Sequence, residues 1–284
     1  MNKGTIALDI DGTITGNDRL IPDSVALYFE SLHQEGWQFI LVTGRMFSYA
    51  MSALSKLNFP FLLAVQNGAD LIMMPEKKRI KENYLQTPIV KTLDDLHRNE
   101  RDDFIIYAGF EKGDFCYYRP ERQSPEMLLY LDSLKALSTE PWQSTKTFET
   151  LEQQAFPLIK CIGVKEKCEA IEANLMAHDG ISVCVIKEPI RKDLFLAMVT
   201  HVDANKGTAV NHFMNTFDLP RPLITGGDDN NDIPLLKVGD ISIAMDGAPL
   251  KLQNLAQIIA PPSHDCGIMS ALKEAIGLHE GKRT

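Results

Sequence analysis

Cysteine is sparse and unpatterned in this chain. The five residues (Cys116, Cys161, Cys168, Cys184 and Cys266) are odd in number, scattered and without a C-x-x-C pair. That excludes a disulfide framework or a cysteine zinc site and fits a reducing, cytoplasmic setting. Long apolar runs are also missing. The longest candidate, residues 59–65, reads as a buried strand rather than a membrane span. The apolar stretch after Met1-Asn2-Lys3 is too short for the core of a signal peptide. No dense Lys/Arg cluster is present and the formal charge is −9, so neither nucleic acid nor a membrane is an expected partner. Lys77-Lys78-Arg79 reads as a solvated turn. No G-x-G-x-x-G follows the first strand, which argues against dinucleotide binding. What remains is ordinary: 284 residues, 44% hydrophobic and 24% charged, enough for one large domain or two moderate ones.

Strand and helix signals alternate over the first eighty residues. Residues 5–10, 37–42 and 61–65 read as strands, and 23–35 and 47–57 as helices, the first of them opened by Pro22 and closed by Gly36. Such alternation implies βαβ units and a parallel sheet. The pattern then changes. Residues 104–110 and 114–119 are aromatic-rich strands around a Glu111-Lys112-Gly113-Asp114 turn, and 125–137 is an apolar-striped helix. Residues 158–164, 181–186 and 194–199 read as further strands, with a helix over 166–177. This middle block is expected to be an antiparallel α+β domain inserted into the first. Helix and strand alternate again from about residue 200: helix 205–217, strand 223–225, a short helix at Leu235-Leu236, strand 241–245 and helix 250–256. The expected fold is therefore α/β, a doubly wound, mostly parallel sheet (residues 1–82 and 192–284) interrupted by an α+β insert (residues 83–191).

Four polar clusters fall where strands end or a helix begins: Asp9-Ile10-Asp11, Thr43-Gly44-Arg45, Lys206, and Asp228 to Asp232. Singly, each is an ordinary turn or cap string. Together they place several carboxylates at the edge of an open sheet where ligands bind. Crowded acids repel unless neutralised, and oxygen-only ligands without His or Cys select a hard cation, with Mg²⁺ expected. A threonine hydroxyl, a lysine ammonium and backbone N–H groups near a helix start are anion donors. Cation and anion donors at one site suit a phosphoryl group.

In this order the clusters resemble the haloacid dehalogenase superfamily. Asp9-Ile10-Asp11-Gly12-Thr13 stands as its first motif, Leu41-Val42-Thr43-Gly44-Arg45 as the second, Asn205-Lys206-Gly207 as the third and Gly227-Asp228-Asp229-Asn230-Asn231-Asp232 as the fourth. The position of the insert, with Gln66-Asn67-Gly68-Ala69 and Ala244-Met245-Asp246-Gly247-Ala248, is similar to the Cof-like branch with a type IIB cap. The resemblance covers nearly the whole chain. One departure is Asp229, where small residues are usual; it adds negative charge beside the metal site. The resemblance implies a Mg²⁺-dependent phosphatase of small phosphate monoesters, with Asp9 as nucleophile and Asp11 as general acid and base. It implies metal ligation by Asp9, Asp11 (through its backbone carbonyl) and Asp228. Asp232 and Asn231 are implied as outer ligands or orienting groups, and Thr43, Gly44, Lys206 and Asn231 as phosphate contacts.

An acid at position 11 fits an alkoxide leaving group and hence a phosphate ester. Sugar phosphates are the expected substrates, with phosphorylated cofactors such as pyridoxal phosphate or flavin mononucleotide as further choices. A phosphotransferase or phosphomutase of the same fold is the alternative, and a non-catalytic phosphate-binding protein a third reading. The partner is a small phosphate ester, and the expected state is a monomer or weak homodimer. Arg119, Lys160 and Arg191 read as surface residues, and Trp142 with the aromatics of residues 104–118 as core or sheet surface.

Overall fold

A computed structural model describes residues 3–136, 138, 140–151, 154–188 and 191–281. In chain order the strands are β1 (Gly4–Asp9), β2 (Trp37–Val42), β3 (Phe61–Val65), β4 (Asp70–Met74), β5 (Lys78–Glu82), β6 (Leu85–Gln86), β7 (Ile105–Tyr107) and β8 (Cys116–Tyr118). They continue with β9 (Gln143–Ser144), β10 (Ala155–Phe156), β11 (Ile159–Gly163), β12 (Ile181–Lys187), β13 (Phe195–His201), β14 (Leu223–Gly227), β15 (Ile241–Met245) and β16 (Ile258–Ala260). The helices are α1 (Asp23–Gln34), α2 (Phe47–Ala53), α3 (Pro88–Leu96), α4 (Pro125–Lys135), α5 (Lys165–Leu175), α6 (Lys206–Thr216), α7 (Ile233–Val238), α8 (Leu250–Gln253) and α9 (Gly267–Gly281).

The chain divides into two compact units. The first comprises Met1–Arg45, Ala50–Lys81 and Asn205–Thr284. It is built on a sheet ordered β16-β15-β14-β1-β2-β3-β4-β5. The pairs from β16 to β3 are parallel, and β4 returns antiparallel to β3. All six residues of β1 are buried. That suits an uninterrupted apolar run in a sheet covered on both faces. β1 lies between β2 and β14, so the first and last thirds of the chain meet at its carboxyl end. On one side of the sheet Val210, Phe213 and Met214 of α6 and Leu235 and Leu236 of α7 pack on Ala7, Ile40, Val42 and Leu223.

The second unit comprises Met46–Tyr49 and Glu82–Ala204. Its six-stranded sheet runs β12-β13-β11-β7-β8-β9 and is antiparallel except at β8–β9. A two-stranded ladder pairs β6 with β10. Helix α4 starts where Ser124 caps it, its hydroxyl accepting from the Met127 N–H at 3.2 Å, with Pro125 at the first helical position. Phe104, Phe148, Trp142 and Tyr107 are all in this unit's core.

The return to the first unit comes at Asn205, not at residue 192. Strand β13 hydrogen-bonds with β11 on one side and β12 on the other, so it belongs to the antiparallel sheet. Several helices are shorter than the apolar spacing suggests: α2 stops at Ala53 and α8 at Gln253. Position 137, expected to end α4, lies outside the described residues. Arg119 is not a surface residue. It is buried, with its guanidinium bonded to both oxygens of Asp103 and one of Asp94.

Candidate active site

Asp9 ends β1, and the chain leaves the sheet through Ile10-Asp11-Gly12. Gly12 has φ +68°, and a Cβ there would lie 2.0 Å from Asp228 Oδ2. Only glycine allows both the left-handed turn and the approach of the Asp228 loop. Asp228 follows β14 directly. Gly227 is needed there because a Cβ would lie 2.5 Å from Asp232 Cβ, in the turn that folds Asp232 back. The Asp232 carboxylate accepts the N–H groups of Asp228 (2.9 Å) and Asp229 (3.1 Å), while Asp229 accepts from Asn230 at 2.7 Å. This reciprocal cap holds residues 230–232 in a single tight turn. Asp229, the departure from the motif, is thus part of the turn that shapes the site.

Lys206 is the first residue of α6, opened by Asn205, whose side chain accepts the Thr208 N–H at 2.9 Å. A cation at a helix N-terminus opposes the helix dipole. Two carboxylates offset it: Lys206 Nζ donates to Asp9 Oδ1 and to Asp232 Oδ1, each at 2.5 Å. The Lys206 side chain is 1% exposed. Burial disfavours its charge, but Asp232 and Asp9 outweigh that and hold its pKa above the ordinary lysine value.

The carboxylates outnumber their cation. Carboxylate oxygens of Asp9, Asp228 and Asp232 lie within 4.8 Å of one another. Burial, then repulsion from Asp232 and Asp11, pushes Asp9 up to about 7 against the pull of Lys206. Burial and the charges of Asp9 and Asp232 hold Asp228 well above the usual carboxylate range. Burial likewise raises Asp229. Three oxygen donors short of positive charge fit a hard divalent cation.

Asp11, expected beside Asp9, turns its carboxylate to Arg45. The guanidinium donates from Nε to Oδ2 at 2.7 Å and from Nη2 to Oδ1 at 2.5 Å. Its carboxylate is outside the acidic triad. Thr43 follows β2, accepts the Arg45 N–H on Oγ1 at 3.0 Å and is buried. Gly44 sits beside the Asn67–Asn231 pair: a Cβ there would be 3.4 Å from Asn67 Oδ1. Asn231 Nδ2 donates to Asn67 Oδ1 at 3.1 Å, and the Asn67 N–H donates to the Thr43 carbonyl at 2.8 Å.

Every residue selected from the motifs is therefore placed in one unit, around the carboxyl ends of β1, β2 and β14. Two participants were quoted in the motifs without a role, Arg45 and Asn67. Asn67 has a visible signal, a Gln-Asn-Gly string after β3, and asparagine tolerates the φ of +60° that it adopts there. Arg45 has none beyond its place next to Gly44.

The family model of haloacid dehalogenase-like hydrolases matches residues 6–272. A phosphoglycolate phosphatase of Methanobrevibacter smithii is 22% identical over 280 residues, which cover 97% of this chain and 100% of that protein. A haloacid dehalogenase-like hydrolase from Bacteroides thetaiotaomicron has a solved structure that superposes with a TM-score of 0.78 at 19% identity, covering 96% of this chain and 99% of that one. A sugar phosphatase of subclass IIB of the same superfamily superposes with a TM-score of 0.76 at 18% identity, over 96% of this chain and 100% of that one. Those two structures establish the likeness of fold. With the match running from β1 into α9, this chain belongs to the haloacid dehalogenase-like hydrolases.

Proposed function

We propose that the protein hydrolyses small phosphate monoesters, sugar phosphates foremost, with Mg²⁺ and through a phosphorylated Asp9. The observation that carries this reading is the triad of Asp9, Asp228 and Asp232, two of them buried and Asp228 half-buried, with one ammonium among them. Asp9 and Asp228 would hold the ion, joined by the Asp11 backbone carbonyl. Asp232 fits an outer place, since one of its oxygens is engaged by Lys206 and the other by two backbone N–H groups. When bound, the ion supplies the positive charge that lets an anionic carboxylate approach an anionic phosphate.

Asp9 attacks phosphorus in line, a P–O bond forms to its carboxylate, and the bond to the ester oxygen breaks. Asp11 gives a proton to the departing alkoxide, then takes one from the water that cleaves the aspartyl-phosphate. Asp9 is regenerated and inorganic phosphate leaves. Lys206, Thr43, the Gly44 N–H and Asn231 grip the non-bridging oxygens, the ammonium staying charged throughout. For Asp11 to serve as an acid, its ion pair with Arg45 opens as substrate enters. The inserted unit, by its size and position in the chain, is the cap that selects the leaving group.

Release of inorganic phosphate across sugar phosphates, phosphoglycolate, pyridoxal phosphate, flavin mononucleotide and nucleotides, with and without Mg²⁺, tests this. Magnesium-dependent release from a subset of sugar phosphates or other small esters is expected. Isomerisation of a hexose phosphate without phosphate release would replace hydrolysis by phosphoryl transfer to a sugar hydroxyl. Ester hydrolysis that needs no divalent ion would overturn the metal role.

A further inference from the structure

Unpaired sheet edges invite another strand, and proteins blunt them with charge, proline or shortness. Three ends of the two large sheets follow that rule. β5 reads Lys-Arg-Ile-Lys-Glu, β16 has three residues and β9 two. The fourth does not. β12, at the edge of the six-stranded sheet, runs seven residues as Ile-Ser-Val-Cys-Val-Ile-Lys, without proline and without charge before Lys187. Ile181–Ile186 are half-buried throughout, neither covered nor fully solvated.

The register tells which backbone groups face outward. The Val202 N–H donates to Gly180 O and the Glu188 N–H to Leu194 O, both at 2.9 Å. These pairs bracket the ladder of β12 with β13, in which Ser182 opposes Thr200, Cys184 Met198 and Ile186 Leu196. In an antiparallel ladder bonded and non-bonded pairs alternate. The even-numbered residues therefore bond inward to β13, and Ile181, Val183, Val185 and Lys187 direct N–H and C=O to the side on which no strand pairs among the described residues.

We propose that this edge pairs with itself: two copies of the chain join antiparallel through residues 181–187, about a twofold axis at Cys184. Three features favour a second copy as the occupant. The Cys184-centred register pairs all seven residues, and it places outward groups opposite outward groups, Ile181 with the partner's Lys187 and Val183 with the partner's Val185. An axis at Val183 or Val185 leaves residues overhanging. The two lysines fall at opposite ends of the ladder, so like charges do not meet, and the interface is isologous, as a closed dimer requires. Cys184 then faces the partner's Cys184 in a non-hydrogen-bonded pair, with Cα atoms about 4.5 Å apart, inside the range of about 4.4–6.8 Å that a disulfide spans.

Sedimentation velocity of the whole protein over a wide concentration range should show a reversible monomer–dimer equilibrium. Copper-phenanthroline with dissolved oxygen, which accepts the two electrons and two protons of the paired thiols, should link the dimer covalently through Cys184. Cys184→Ser should abolish the link while leaving the equilibrium in place. Val185→Pro removes an outward N–H but no bond to β13, so it should dissociate the dimer without unfolding the sheet. Ile181→Lys sets a lysine opposite the partner's Lys187 at both ends and should weaken association about tenfold, and adding Lys187→Glu should restore it. A protein that stays monomeric at its highest soluble concentration overturns the proposal. So does a dimer indifferent to Val185→Pro and to the charge swap, or one that cross-links through a cysteine other than Cys184. Phosphate release should be unchanged in all these variants, which separates this test from that of the phosphatase site.

Discussion

Each unit of the molecule buries a cation shared between two aspartates, and the two clusters differ in how they close. In the second unit Arg119 has both oxygens of Asp103 and one of Asp94, and its guanidinium lies over the ring of Phe148 at 4.1 Å and near that of Phe104 at 5.2 Å. Burial opposes its charge, but Asp103 and Asp94 more than compensate. Arg122 approaches Asp94 at 3.8 Å, so two cations serve two acids. In the first unit one ammonium serves Asp9 and Asp232, and Asp228 adds a further carboxylate within the same few ångströms. The first arrangement is a finished structural clamp. The second is short of positive charge, and that shortfall supports the proposal of a cation and a substrate there.

The largest expected difference is in turnover. Asp9→Asn should lower phosphate release by at least about a thousandfold while circular dichroism stays native. Retained turnover would move the nucleophile elsewhere. Next comes the clamp. Arg119→Met leaves Asp103 buried without a counter-ion and should cost about 3–5 kcal/mol, read by urea unfolding through Trp142 in a Trp37→Phe background. A loss below about 1 kcal/mol would make the clamp no more than a surface pair.

A smaller effect follows from the raised acids. In the metal-free protein burial and neighbouring acids push Asp9 up to about 7 and hold Asp228 well above the usual carboxylate range, both above the unfolded value. The folded state therefore favours their protons. Their contribution to stability is full below the unfolded carboxylate pKa of about 4 and is lost as pH rises through about 7. On the proposed role Mg²⁺ would replace those protons, so the rise in Tm that it causes should be larger at about pH 8 than at about pH 5. An equal shift at both would detach the ion from these acids. Smallest, Asp228→Asn takes away a carboxyl that is costly to ionise in the fold. It should raise the metal-free Tm by about 2–4 °C at about pH 8, change it little at about pH 5, and erase the response to Mg²⁺.

Much of the first unit was readable because its signals are local. Strands β1, β2, β3 and β15 are continuous apolar runs, and Asp9, Thr43 and Asp228 directly follow or end strands marked by Gly or Thr. Helix α9 was not readable: it begins at Gly267 and ends at Gly281, residues that elsewhere stop helices, and it is held by burial of Ile268, Ala271, Leu272 and Ala275 against the sheet. β5 was hidden because it is almost wholly charged. The turn at Lys77 was seen, but not the Arg79–Asp70 ion pair at 3.7 Å beyond it. In the site, spacing identified the acids but not where they point. The grip of Arg45 on Asp11 and the Asn67–Asn231 bond join residues 34 and 164 positions apart, and no window along the chain reports such a distance.

The bond from Lys206 to Asp9 spans 197 residues, and the strand that flanks β1 on that side begins only at Leu223. During synthesis, β1 emerges first and waits, one ladder of its backbone bare, while the whole second unit is made. Asp9 and its ammonium meet only after Lys206 has left the ribosome. Truncated products therefore carry an open apolar strand and no catalyst, a state suited to capture by chaperones or proteases.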